Sequence, residues 1–172
     1  MFNISTMTKK LILFLFLVIA FANLQAQVQP DTLPPYKKDN HMPAFRIQKF
    51  DNSWLTRDQL PKNVPTVIIY FSPDCAHCTH EAREIVKNID KLKHVNFVWI
   101  SYKEMELIKE FFYVLDLYKY PNMYAGRDPK YMVPAFYRVK FTPFVAVYDK
   151  KGLFVKAFDG GAEMPQLLPL LK

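Results

Sequence analysis

The apolar run Val64-Pro65-Thr66-Val67-Ile68-Ile69-Tyr70-Phe71 leads straight into Ser72-Pro73-Asp74-Cys75-Ala76-His77-Cys78-Thr79-His80-Glu81, and this junction constrains the chain more than any other stretch. Residues 67–71 read as a buried strand. Beyond Cys75, Ala82, Ile85, Val86 and Ile89 recur at helical spacing, which predicts a helix over about 75–92. A buried strand that runs directly into an amphipathic helix requires an α/β layered core.

Cys75 and Cys78 are the only cysteines, and both sit at the start of that helix. Unpaired backbone N–H groups and the positive end of the helix dipole favour a thiolate on Cys75. Cys78 lies one turn further on the same face, close enough to close a disulfide. The pattern therefore assigns Cys75 as attacking thiol and Cys78 as resolving thiol, a redox dithiol that needs no added cofactor. His77 lies between them, and a charged imidazole there would stabilise the reduced thiolate and make the disulfide more oxidising. Two other readings stay open. Cys75, His77, Cys78 and His80 could ligate zinc or copper, although structural zinc usually draws its ligands from two separated segments. An inert disulfide is the other, although so short a loop would stabilise little. His80 by itself reads as a solvated helix residue.

The first residues carry an export pattern. Lys9 and Lys10 precede residues 11–22, which have no polar side chain, and Asn23-Leu24-Gln25-Ala26 follows. Ala26 is the expected last residue of a signal peptide over 1–26; an uncleaved N-terminal anchor is the alternative, with a core short for a spanning helix. Removing 26 of 172 residues leaves 146, long enough for one domain with a real core. Lys9 and Lys10 leave with no acid, so the net charge of +7 becomes +5. No Arg/Lys stripe interleaved with aromatics is present, which argues against nucleic-acid binding. The expected location is periplasmic or secreted, with membrane attachment only if the segment is retained. One cysteine pair suits such an oxidising compartment.

Residues 27–42, with Pro30, Pro34, Pro35 and several charges, predict a mobile leader before a domain over 43–172. Residues 43–50 alternate like a short edge strand, and 53–60 like a capped helical turn. A second buried strand is expected over 95–100 and a helix over 104–117. A short strand over 120–125 and a helix over 130–138 follow. Residues 141–148 form a strand opening at Pro143, Asp149-Lys150-Lys151-Gly152 a hairpin turn, 153–158 the returning strand and 163–171 a closing helix. The expected architecture is a mixed central sheet flanked by helices. Nine aromatic residues lie between Phe111 and Tyr137; helical spacing assigns most of them to the core, with a docking surface as the alternative.

A strand leading to C-x-x-C, with Thr142-Pro143 opening a late strand, resembles the thioredoxin superfamily over about residues 43–172. The resemblance implies a cis proline at Pro143, lying against the dithiol, with the Thr142 backbone free to pair with an incoming substrate chain. The stretch between residue 100 and Pro143 is longer than minimal thioredoxin needs. It resembles TlpA/ResA-like proteins, which carry an extra strand and helix there, here about 120–138. Those proteins also have a glutamate three residues after the second cysteine, matched by Glu81, which the resemblance implies as proton partner of the resolving thiol. There are departures. Asp74 stands where many members have tryptophan and should oppose a thiolate on Cys75. His77 stands where many have proline, as in DsbA-type oxidants. The buried acid of thioredoxin would fall near Ile69.

The expected function is thiol–disulfide exchange with protein disulfide or dithiol substrates, as a periplasmic reductase supplied by a membrane or periplasmic electron-donor protein. The alternatives are a DsbA-like oxidant, or a non-catalytic module of the same fold that binds a metal or a partner.

Overall fold

The computed structural model describes Lys9, residues 12–15 and residues 33–172, and the chain divides into Met1–Thr32 and Leu33–Lys172. In the first unit, the described residues are helical. The signal peptide expected over 1–26 falls largely outside the described residues, and so do residues 27–32 of the leader expected over 27–42. No helix among the described residues is long and apolar enough to cross a membrane.

The second unit is built on one seven-stranded sheet. Its strands are β1 (Arg46–Gln48), β2 (Trp54–Thr56), β3 (Thr66–Tyr70), β4 (Asn96–Ser101), β5 (Met123–Arg127), β6 (Phe144–Tyr148) and β7 (Phe154–Asp159). Their order across the sheet is β2-β1-β5-β4-β3-β6-β7. β3, β4 and β5 are mutually parallel, and the remaining neighbours pair antiparallel. The helices are α1 (Ala76–Lys87), α2 (Met105–Val114), α3 (Met132–Tyr137) and α4 (Met164–Leu167), the last continued by a 3-10 turn over Leu168–Leu171.

The sheet is buried on both faces, which explains the unbroken apolar runs of β3 and β4. Side chains alternate across a strand, so each run supplies two cores. Val67, Ile69, Phe97 and Trp99 pack with Ala82 and Ile85 of α1 and Ile108 and Phe111 of α2. Ile68, Tyr70, Val98 and Ile100 pack on the other face with Val133 and Tyr137 of α3 and with Phe144, Ala146 and Tyr148 of β6. Ile69 is fully buried.

The expected strand and helix between residues 120 and 138 are β5 and α3. β5 lies between β4 and β1. A Cβ on Gly126 would lie 2.7 Å from the Gln48 carbonyl oxygen and 2.8 Å from Ile47 Cγ1, so only glycine admits β1 this close. The aromatic load divides. Phe111, Phe112 and Tyr137 are buried, whereas Tyr113, Tyr118 and Tyr131 are exposed.

Four details differ from the sequence expectations. The strand over 43–50 is not the sheet edge, because Trp54–Thr56 pairs outside it as β2, with Leu55 buried opposite Ile47. The capped turn expected over 53–60 is confined to a 3-10 turn, Arg57–Gln59, capped by the Gln59 side chain, which accepts from Thr56 N–H at 2.8 Å. The helix expected to reach residue 92 stops at Lys87. There the Asn88 side chain donates to the Glu84 carbonyl at 2.9 Å and a 3-10 turn, Ile89–Lys91, takes over. The leader joins the domain from Leu33 onward. Tyr36 packs edge-on against Phe154 and tilted against Tyr137, Met42 is buried, and His41 bridges to Leu153.

Candidate active site

β3 ends at Tyr70, and the chain reaches α1 through Phe71-Ser72-Pro73-Asp74. Cys75 is the N-cap of α1, in an extended conformation, and its sulfur accepts from the N–H of Cys78 at 3.4 Å. This is the orphan-donor position at a helix start. The Cys75 thiol also donates to the carbonyl oxygen of Thr142 at 3.4 Å. The Thr142–Pro143 peptide is cis, and Pro143 is buried just before β6. The late strand and the start of α1 thus meet at one sulfur, across 67 residues of sequence.

Both cysteines are free thiols, in different surroundings. Cys75 is partly exposed, and its pKa lies below the ordinary 9.0. Burial pushes it up, but donation from the Cys78 thiol and N–H, from the Thr142 side chain and from the His77 N–H outweighs that. Cys78 has no exposed surface, and burial, reinforced by hydrogen bonding to Cys75, pushes its thiol up to about 12. One sulfur is accessible and poised to ionise; the other stays protonated behind it.

Asp74 does not act on Cys75 as an unopposed charge. It accepts from the Ser72 hydroxyl and from Lys103 Nζ at 3.0 Å, and these two contacts hold its carboxyl below the usual range.

Glu81 lies on the buried face of α1 and is only 4 % exposed. Its Oε2 accepts from the Ala162 N–H at 2.8 Å, whereas Oε1 is buried without a partner. Burial raises its pKa to about 7; the Ala162 contact opposes this and Glu163 adds to it. A Cβ on Gly161, which has φ +112°, would lie 3.0 Å from Glu81 Oε2 and 3.4 Å from Pro143 Cγ. The missing side chain lets the carboxylate and the proline ring share this corner. Ile69 on β3 is a buried apolar side chain, and the buried carboxyl of this corner comes from α1.

Cys75, Cys78, Glu81, Thr142 and Pro143 therefore converge. His77 contributes its backbone N–H, and its ring is exposed. Of the four residues weighed as metal ligands, Cys78 faces inward while His77 and His80 face solvent. Among the described residues no group of three or more His, Cys, Asp or Glu is arranged to hold a metal ion. Sequence reasoning missed Lys103, Gly161 and Ala162. The Gly160-Gly161 pair was the one available signal, since two glycines before a helix mark a backbone that must turn or approach closely.

No protein-family model and no curated protein matches the chain. Solved structures do. A secreted Mycobacterium tuberculosis disulfide oxidoreductase homologous to E. coli DsbE is similar with a TM-score of 0.62 and 18 % identity, over 74 % of this chain and 94 % of that one. MTB DsbF, in mixed oxidised and reduced forms, gives 0.61 and 21 %, over 74 % and 92 %. Bacillus subtilis StoA gives 0.57 and 15 %, over 76 % and 97 %. The chain has the thioredoxin fold, with the inserted strand and helix that its sequence led one to expect.

Proposed function

We propose that this thioredoxin-fold chain is an exported thiol–disulfide oxidoreductase that reduces disulfides in protein substrates. The arrangement at Cys75 carries the reading. An accessible sulfur with a lowered pKa sits at a helix N-cap against the Thr142 carbonyl, with a buried, protonated second thiol one turn behind. The Cys75 thiolate attacks a substrate disulfide; one substrate sulfur joins Cys75 and the other leaves as a thiolate. Cys78 then passes its proton to Glu81 and attacks Cys75. The Cys75–Cys78 disulfide forms, and the second substrate sulfur departs as a thiolate and takes a proton from water. A membrane or periplasmic donor protein returns two electrons to the pair. The edge of Thr142 beside cis Pro143 is the strand on which the substrate chain lies. The Lys9-Lys10 and apolar segment supports export to a periplasmic or extracellular site, with or without retention as an anchor.

The test is to trap the intermediate. Cys78→Ala protein should accumulate mixed disulfides through Cys75, and Cys75→Ala none; no adducts with Cys78→Ala would overturn the reading. The potential of the pair in glutathione buffers decides direction. A value near or below about −270 mV supports a reductase, whereas one near about −120 mV identifies a DsbA-like oxidant.

A further inference from the structure

Residues 159–161 tie down the segment that carries the substrate edge. β6 and β7 pair antiparallel as far as Phe144 opposite Asp159, which fixes the Asp159 backbone at the end of the sheet. From there the Asp159 side chain reaches beyond the paired residues, and its Oδ1 accepts from the Phe141 N–H at 3.0 Å. The Gly160 N–H donates to the Pro143 carbonyl oxygen at 3.0 Å. A Cβ on Gly161 would lie 3.4 Å from Pro143 Cγ, so this backbone also lies against the proline ring. Thr142 is therefore flanked by a tie on the residue before it and two on the residue after it. Its own carbonyl accepts from the Cys75 thiol at 3.4 Å. The two flanks differ in kind. Pro143 is buried, whereas the Phe141 ring is 66 % exposed, so packing does little to fix residue 141. The hydrogen bond to Asp159 is what keeps it in line.

We infer that Asp159 is a positioning residue of the proposed exchange reaction: by holding Phe141 it keeps the Thr142 backbone in register for a substrate chain. The inference rests on that reading, in which the substrate lies along Thr142 as an added strand. Main-chain hydrogen bonds give such pairing its affinity. They form at least cost when the receiving backbone is already ordered, since any ordering left undone opposes binding. A small disulfide has no chain to lay on Thr142 and meets Cys75 without this requirement. Asp159 thus favours polypeptide substrates over small disulfides, acting through residues 141 and 142 and not on either sulfur. What matters is the acceptor oxygen. A carboxylate supplies one, an amide on a side chain of the same length supplies one, and a methyl group supplies none. Asp159 and its hydrogen bond are both exposed, so their loss should leave the domain folded.

The experiment gives the whole reduced protein two disulfides with the same leaving group. One is Ellman's reagent. The other is a short blocked peptide rich in Val and Thr, which favour extended backbone, whose cysteine carries thionitrobenzoate. In both, the Cys75 thiolate attacks one sulfur, the S–S bond breaks and thionitrobenzoate leaves as a coloured thiolate. The rate with the peptide divided by the rate with Ellman's reagent reports pairing of the chain, because a change in the reactivity of Cys75 itself cancels. We expect this ratio to fall about fivefold or more in Asp159→Ala and to stay within about twofold of the parent in Asp159→Asn. A ratio within about twofold of the parent in Asp159→Ala overturns the inference. An Asp159→Asn ratio as low as that of Asp159→Ala also overturns it, because the effect would then belong to the charge and not to the acceptor. A parent protein that reacts equally fast with the peptide N-methylated at its cysteine amide would instead sink the placement of the substrate chain on Thr142.

Discussion

Replacing Glu81 by glutamine should remove a pH dependence of stability that the fold builds in. Glu81 is almost wholly buried, its Oε1 has no partner, and burial raises its pKa from 4.5 to about 7. The folded state thus holds this proton more tightly than the unfolded chain does. Stability from Glu81 is fully present below about pH 4.5 and is lost as the pH rises through about 7. The rise from 4.5 to about 7 corresponds to about 3 kcal/mol, all of it lost once the carboxylate is ionised in both states. The glutamine side chain carries no charge at any pH and keeps an oxygen for the Ala162 N–H. The stability of Glu81→Gln relative to the parent should therefore rise by about 3 kcal/mol between pH 4.5 and pH 8. Urea unfolding of both reduced proteins at a series of pH values, with a phosphine reductant and tryptophan fluorescence as readout, measures this directly. Comparison at each pH cancels every other titrating group. A difference that stays constant from pH 4.5 to pH 8 would refute the reasoning, since Glu81 would then ionise alike in folded and unfolded chains.

Three further outcomes follow from the same geometry. Alkylation of Cys75 by iodoacetamide should titrate below pH 9.0, whereas Cys78 in the folded protein should resist up to about pH 12; mass mapping of pulse-labelled protein separates the two. Lys103→Met removes the cation that faces Asp74 and should raise the Cys75 pKa, slowing its alkylation at pH 7, while Asp74→Asn should not slow it. Gly126→Ala forces a Cβ to within 2.7 Å of the Gln48 carbonyl and should cost about 1–3 kcal/mol in chemical unfolding by pushing β1 away from β5.

What the sequence determined by itself is local. Residues 67–71 had to be a buried strand, because a run without polar breaks has no solvent face. The helix after Cys75 had to begin at the dithiol, because Ala82, Ile85 and Ile89 set its apolar phase. That phase also put Glu81 on the same face as Cys78. Thr142-Pro143 and the length of chain before it, with the C-x-x-C, were enough to suggest the thioredoxin fold and its extra strand and helix. The tertiary structure decided what those groups can do. Glu81 is a raised acid because the folded chain buries it, and half-satisfied because Ala162, 81 residues away, donates to one of its oxygens where Gly161 admits it beside Pro143. Asp74 is offset by Lys103, 29 residues further on, a pairing that no spacing rule foresees. Trp54–Thr56 became the edge strand because Leu55 found a partner in Ile47, and Tyr36 brought the expected leader into the core through rings more than 100 residues distant. Burial, charge pairing and pKa depend on neighbours in space, and for this site Thr142, Lys103 and Ala162 come from distant parts of the chain.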